Sequence, residues 1–308
     1  MEYLLFIISK VILPIFVLIA VGFIFQKMIY ADVKVLTKLN VYVFVPAFIF
    51  KTMYTAEFSA HIVMSISIFF IIYAIMLLIV VKILLKTFPV SSEKGMVITN
   101  GALYYNAGNY GIPVNDLVFR GDGTAMSIHI VIVALQNVLI FTYGIFTLNF
   151  EKRNFRDSIL GYLKIPVLYA LVLGVLFNTF SVPLPDALMV PANYISNGMV
   201  TIALLTLGAQ VAVLKRTKWS LPLFYSVGTR LLIGPLLALL IIYVFGFNGM
   251  LAKVMLIASA MPTSVNSAVL AQEYDREPAF AAETVLYSTI FSALTVTGTI
   301  YLADYLFS

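Results

Sequence analysis

Residues 104–113 read YYNAGNYGIP, inside an otherwise apolar stretch from Met96 to Phe119. Two Asn, two Gly and a Pro within eight residues should break a helix there. Pro113 has no N–H, and its ring clashes with the preceding turn. Gly108 and Gly111 permit backbone angles that a helix does not use. The amides of Asn106 and Asn109 can serve the groups left free. In lipid each unsatisfied backbone group costs several kcal/mol, so irregular backbone at that depth is buried in protein or lines a wet cavity. Pro113 suits the start of a second half-helix, whose positive N-terminal end then points at mid-membrane.

The whole chain places this stretch in a membrane. Its 308 residues are 62% hydrophobic and 11% charged, with a mean hydropathy of +1.02. Soluble domains carry roughly 25% charged and 45–50% apolar residues. Apolar runs of about 18 or more residues read as spanning helices, and the absence of period-2 alternation argues against a barrel. The sequence therefore predicts a single all-α polytopic membrane domain over 1–308. Its ten transmembrane helices lie at about 4–25, 36–54, 61–85, 95–119, 124–148, 161–180, 187–213, 219–245, 250–272 and 279–303. MEYLLFIISK has no basic residue ahead of its apolar run, so it reads as the first span rather than a signal peptide. Of the 19 Lys and Arg, all except Lys10, Lys51, Arg120, Lys253 and the intramembrane Arg230 lie in or beside odd-to-even connections. The positive-inside rule makes those connections cytoplasmic and puts both termini outside, in a multi-pass cell-membrane protein. The same distribution accounts for the net charge of +5 without invoking nucleic acid. Cysteine is absent, so there is no disulfide, thiol nucleophile or thiolate metal site.

The halves 1–155 and 156–308 resemble each other. PIFVLIAVGFIF (14–25) in span 1 matches PVLYALVLGVLF (166–177) in span 6, with Pro and Gly eight apart in both. Five spans per half is odd, so the second half runs inverted, an architecture of secondary transporters. The break in span 4 has a partner in span 9, where ASAMPTSVNSAVL (258–270) is interrupted around Pro262. Thr263 or Ser264 can cap the helix that follows, with Asn266 and Ser267 on its first turn. Interrupted spans at matching positions of two halves point to a transporter's binding site. Crossed there, the two positive half-helix ends would make a seat for a carboxylate or another small anion. Asn106, Gly108, Asn109, Gly111, Pro113, Pro262, Thr263, Ser264 and Asn266 are its candidate residues. The structural alternative is a pair of proline kinks that fill packing gaps, since Pro and Gly are common in spanning helices.

Other polar residues inside spans are accessory candidates. Arg230 lies about 12 residues beyond the Lys215–Lys218 cluster, roughly 18 Å at 1.5 Å per residue. An intramembrane ionisable residue is a functional hypothesis by default. Arg230 would hold a substrate carboxylate or pair with a fixed acid, of which Glu283 is nearest by depth. Gln136 and Asn137 are adjacent and so face different directions, one toward the crossing and one toward a neighbouring helix, with an interhelical hydrogen bond as the plainer reading. His61 and His129 sit near span ends and receive no role. There is no HExxH, GxSxG, Walker loop or pair of catalytic acids, which points away from an enzyme. RGDG (120–123) is the turn between spans 4 and 5.

These motifs together resemble the auxin efflux carrier (PIN-like) family, within the bile-acid-transporter superfamily. The resemblance rests on N-x-x-N-x-G-x-P in span 4, VYVFVPAFIF (41–50), LLTLGAQV (204–211), RLLIGP (230–235) and ASAMPTSVNS (258–267), and covers essentially the whole chain. It implies ten spans in two inverted five-helix repeats, with broken crossing helices 4 and 9. It also implies a scaffold of spans 1, 2, 6 and 7, a mobile unit of spans 3–5 and 8–10, and a homodimer. Plant members often carry a long loop between spans 5 and 6; this chain has only NFEKRNFRDS (149–158). It resembles the compact prokaryotic members, for which small dicarboxylates such as malonate or malate are typical substrates. The expected function is a secondary transporter of small organic anions with elevator-like alternating access. It has no bound cofactor or metal and is coupled to H⁺ or Na⁺, or else is a uniporter driven by membrane potential. An intramembrane enzyme or sensor is the remaining alternative.

Overall fold

The computed structural model describes residues 2–56, 60–144, 147, 166–214 and 219–307. The polar connection 149–158, the boundary between the two expected halves, and Lys152, Arg153, Arg156, Lys164, Lys215, Arg216 and Lys218 lie outside the described residues.

The described residues are helical almost throughout. The helices are α1 (2–29), α2 (33–54), α3 (Ala60–Thr87), α4 (Ser92–Leu103), α5 (107–119) and α6 (123–144). They continue as α7 (Pro166–Thr179), α8 (Asp186–Val213), α9 (221–245), α10 (Gly249–Ser259), α11 (Val265–Glu273) and α12 (Pro278–Phe307). Six of them, α1, α2, α3, α8, α9 and α12, are long and apolar enough to cross a membrane as single helices. Spans 4 and 9 are each divided, into α4 with α5 and α10 with α11. α6 and α7 abut residues outside the described set.

Local chemistry sets the helix ends. Asp32 accepts a hydrogen bond from Lys34 N (2.9 Å), so α2 begins three residues ahead of the predicted span. Asp122 caps α6 through Ala125 N (2.8 Å). Among the described residues five helices carry a widened π turn; besides the one at Ile140–Gly144 in α6, these lie at Ile8–Ile12, Asn40–Phe44, Ala107–Gly111 and Thr229–Ile233. Each of the latter four ends two residues before a proline, namely Pro14, Pro46, Pro113 and Pro235. A proline ring collides with the carbonyl four residues earlier. Those carbonyls, on Lys10, Tyr42, Asn109 and Leu231, all lie inside the widened turns. The turn moves the carbonyl off the ring, and the helix runs through the proline.

Small residues set the closest helix approaches, as in lipid where packing rather than water exclusion joins helices. A Cβ on Gly208 would stand 2.0 Å from Ile19 O, and one on Gly22 2.1 Å from Leu205 O, so α1 and α8 touch along their backbones. α7 meets α2 likewise, where a Cβ on Gly174 would stand 2.7 Å from Met53 Cβ. The surface is apolar along whole stripes, such as Ile71, Ile75, Ile79 and Ile83 on α3 and Leu232, Leu236 and Leu240 on α9. Asn, Gln, His and Arg side chains are buried inside. An apolar exterior of this extent marks a membrane-facing surface, and the molecule is a multi-pass membrane protein.

Candidate site at the crossing of two broken helices

The break in span 4 is shorter and earlier than the sequence suggests. Helix α4 stops at Leu103, and the helical run resumes at Ala107. Only residues 104–106 are unwound, not the stretch from Asn106 to Pro113. Pro113 is absorbed by the π turn, so it no longer starts the half-helix. Gly108 and Gly111 are both helical, and among the described glycines only Gly121, Gly246 and Gly249 have positive φ. Gly111 is required for space instead, because a Cβ there would lie 2.8 Å from His129 Nε2. In span 9 residues 260–264 are unwound, and Ser264 caps α11 by accepting from Asn266 N (3.2 Å).

The two unwound segments satisfy each other. Tyr105 and Thr263 form an isolated antiparallel bridge. Asn106 N donates to Pro262 O and Ser264 N to Tyr104 O, both at 2.7 Å. Thr263 N donates to Ser288 Oγ (3.1 Å). The last carbonyls of α4 are met one by one. Gly101 O accepts from Thr263 Oγ1 (3.0 Å), Ala102 O from Arg230 Nη1 (2.5 Å) and Leu103 O from Gln136 Nε2 (3.0 Å). Ala107 O accepts from His129 Nε2 (2.9 Å).

Arg230 is fully buried and belongs to this framework. Besides Ala102 O it donates to Ser259 O, the last carbonyl of α10, and to Tyr73 Oη. Its guanidinium carbon stands 5.1 Å from the Tyr105 ring centre. Gly234, one turn on, leaves room for it, as a Cβ there would lie 2.6 Å from Nη2. Arg230 thus caps the negative ends of both first half-helices. The expected pairing with Glu283 is not formed; among the described residues the ion pairs are Lys94–Glu277, Lys253–Asp304 and Arg276–Glu93. Carbonyl oxygens at two helix ends supply the compensation that the sequence reading sought from an acid.

On the other side of the crossing, at the positive ends of α5 and α11, lies a cavity of about 250 Å³. Among the predicted residues it brings together Asn106, Gly108, Asn109, Gln136, Asn137, Ser264 and Asn266. Gln136 and Asn137 both border it, although one was expected to face away. Gly111, Pro113, Pro262, Thr263 and Arg230 do not line it; they hold the backbone behind it. Asn109 Oδ1 accepts from Asn40 Nδ2 of α2 (2.9 Å). Thr37, also of α2, accepts from Gln210 Nε2 of α8 (3.0 Å). Asn106 Nδ2 and Gln136 Oε1 are buried without a partner. The sequence reading missed Thr37, Val41, Val45, Ile140, Val167 and Val269 as lining residues. An apolar side chain carries the same signal whether it faces lipid or a cavity. A second cavity, about 480 Å³, lies beyond the crossing between α2, α8 and the α5–α6 turn, bordered by Lys51, Thr52, Asp116, Met126 and Asn197.

The model of the membrane transport protein family matches residues 7–159 and again 154–300. The chain belongs to this family, of the auxin efflux carrier (PIN-like) type. Similar members include an uncharacterized transporter of Methanothermobacter thermautotrophicus, 25% identical over 295 residues, 94% of this chain and 96% of the relative. Another is an uncharacterized transporter of Methanocaldococcus jannaschii, 24% identical over 302 residues, 93% of this chain and 96% of the relative. A Rhizobium meliloti protein provisionally named a malonate transporter is 27% identical over 127 residues, 41% of this chain and 39% of its own length. The match to these archaeal proteins agrees with the compact prokaryotic type. The family is one of membrane transporters, and the fold and the crossing fit that activity.

Proposed function

We propose that the protein is a secondary transporter of small organic anions, not an enzyme, working by elevator-like alternating access in the cell membrane. The observation that carries this reading is the cavity at the crossing, onto which the N-terminal ends of α5 and α11 both open. Two helix N-termini aimed at one site favour negative charge. Asn106, Asn109 and Asn266 offer amide donors there. Replacing Asn109 or Asn266 by Ala should abolish carboxylate counterflow in proteoliposomes while leaving the yield of folded protein unchanged. Full transport by both variants would sink the assignment.

The proposed architecture has ten spans in two inverted repeats, with spans 1, 2, 6 and 7 as scaffold and the others as mobile unit. The packing supports it, since span 1 pairs with span 7 through Gly22 and span 6 with span 2 through Gly174. Those glycines are the equivalent positions of the two matching segments. On the proposed topology, with both termini outside, Thr37, Val41, Ile140, Val167 and Val269 lie in the cytoplasmic halves of their helices. The conformation described here then presents the site to the cytoplasm.

A second reading concerns coupling. Arg230 places a permanent cation where two helix C-termini would otherwise attract a free one, which favours a uniporter driven by membrane potential over a Na⁺-coupled carrier. One charge moved across 100 mV is worth about 2.3 kcal/mol. Counterflow and net flux should persist when Na⁺ is replaced by choline, and net flux should follow an imposed K⁺–valinomycin potential. Loss of flux without Na⁺ would reject uniport.

A further inference from the structure

We infer that the transported anion carries a single carboxylate on a short aliphatic body, and that dicarboxylates are poor substrates. This rests on the anion-carrier reading of the same site and narrows it.

The charge balance comes first. A helix N-terminus is equivalent to roughly +0.5 elementary charge. The Tyr105–Thr263 bridge holds the caps Asn106 and Ser264 side by side, so the two ends form one seat rather than two. Together they supply about +1, which matches one carboxylate. Among the described residues no Lys, Arg or His lines the cavity. Arg230, the one buried Lys or Arg among the described residues, is committed to the opposite, negative ends of α4 and α10.

The rest of the wall fixes the body. Val269 and Leu270 stand five and six residues along α11 from its cap, about 8–9 Å at 1.5 Å per residue. Ile140 lies one turn beyond Gln136 on α6, and Val41, Val45 and Val167 complete that side. Thr37, the polar residue among them on α2, already donates to Val33 O (2.9 Å) and accepts from Gln210. A carboxylate held at the seat therefore leads its chain onto branched aliphatic side chains. Among the described residues a second carboxylate would meet no cation there, only the amide of Asn137 beside these side chains, the costly case for a buried ion. At about 250 Å³ the cavity is just under the range of about 300–1,000 Å³ for drug-sized ligands, which suits a small body.

The test compares matched pairs on purified protein and in proteoliposomes at pH 7.5, where every carboxylate is ionised: propionate against malonate, and valerate against glutarate. Valerate is expected to bind at least tenfold more tightly than glutarate, by thermal shift and by inhibition of counterflow, with propionate likewise ahead of malonate. Val41→Arg should move the valerate-to-glutarate preference tenfold or more toward glutarate; Val269→Lys makes the same change at a half-exposed position should Val41→Arg fail to fold. Dicarboxylates binding as tightly as their monocarboxylate partners would overturn the inference and leave the anion carrier standing. Uncharged valeramide binding as tightly as valerate would overturn the anion carrier itself.

Discussion

Arg230 has carbonyl oxygens rather than carboxylates for company, and this fixes what its loss should do. Arg230→Met orphans Ala102 O in the interior and leaves Ser259 O only the long bond from Tyr73 Oη (3.4 Å). A buried acceptor left unpaired costs about 1–3 kcal/mol, so the variant should lose at least roughly that much, read as a fall in Tm in detergent. Arg230→Lys keeps the charge but cannot reach both carbonyls with a planar fork, and its Tm should fall between the two. At the substrate side the residue to watch is Asn40. It is fully buried on α2 and holds Asn109 Oδ1. Asn40→Ala removes one hydrogen bond worth about 1 kcal/mol, so the KM of counterflow should rise about fivefold with kcat little changed. An unaltered KM would show that Asn109 does not depend on this contact.

At the scale of elements, the π turn of α5 reconciles Pro113 with a continuous half-helix, and it does so against His129. Gly111→Ala pushes a methyl to 2.8 Å from His129 Nε2. Overpacking of this kind costs about 1–3 kcal/mol. Because the closest clash is with the His129 ring, with Asn106 O next at 3.3 Å, Gly111→Ala combined with His129→Ala should be less destabilised than the sum of the single variants, and strict additivity would contradict the contact. The breaks themselves were legible in the sequence, since Pro, Gly and Asn crowded into mid-span all work against an unbroken helix. Their extent was not. Pro113 and Pro262 look alike on paper, yet one follows a widened turn within a continuous helical run and the other lies in an unwound segment. The difference comes from the residues packed against each. His129 was passed over for the same reason, as nothing near it in sequence announces that Ala107 O will need a donor.

For the whole molecule, α2 supplies one continuous face to both cavities. Thr37, Val41 and Val45 border the inner one, and Phe48, Lys51 and Thr52 the outer one, with Thr55 just past the helix end. The chain has no cysteine, so single-cysteine variants report accessibility without a background. In right-side-out vesicles, Thr52→Cys should react with an impermeant maleimide, whereas Val41→Cys should react only after permeabilisation. Saturating substrate should change both rates if the mobile unit slides along this face. Equal labelling of the two from outside would contradict the proposed orientation. The long apolar helices were legible from hydropathy alone. The convergence of α4 and α10 on Arg230 was not, because it joins residues more than a hundred positions apart.

The bridge between Tyr105 and Thr263 has a thermodynamic corollary. It laces the two walls of the seat into one piece, so on the proposed movement the seat travels without being taken apart. Its two helix ends then offer the same charge whichever side they face, while the α2 and α7 side chains that complete the wall stay behind. Such a carrier has no built-in valve: it runs toward whichever compartment has the lower electrochemical potential of its substrate. Any preference for import or export would have to come from the stationary surfaces on either side of it.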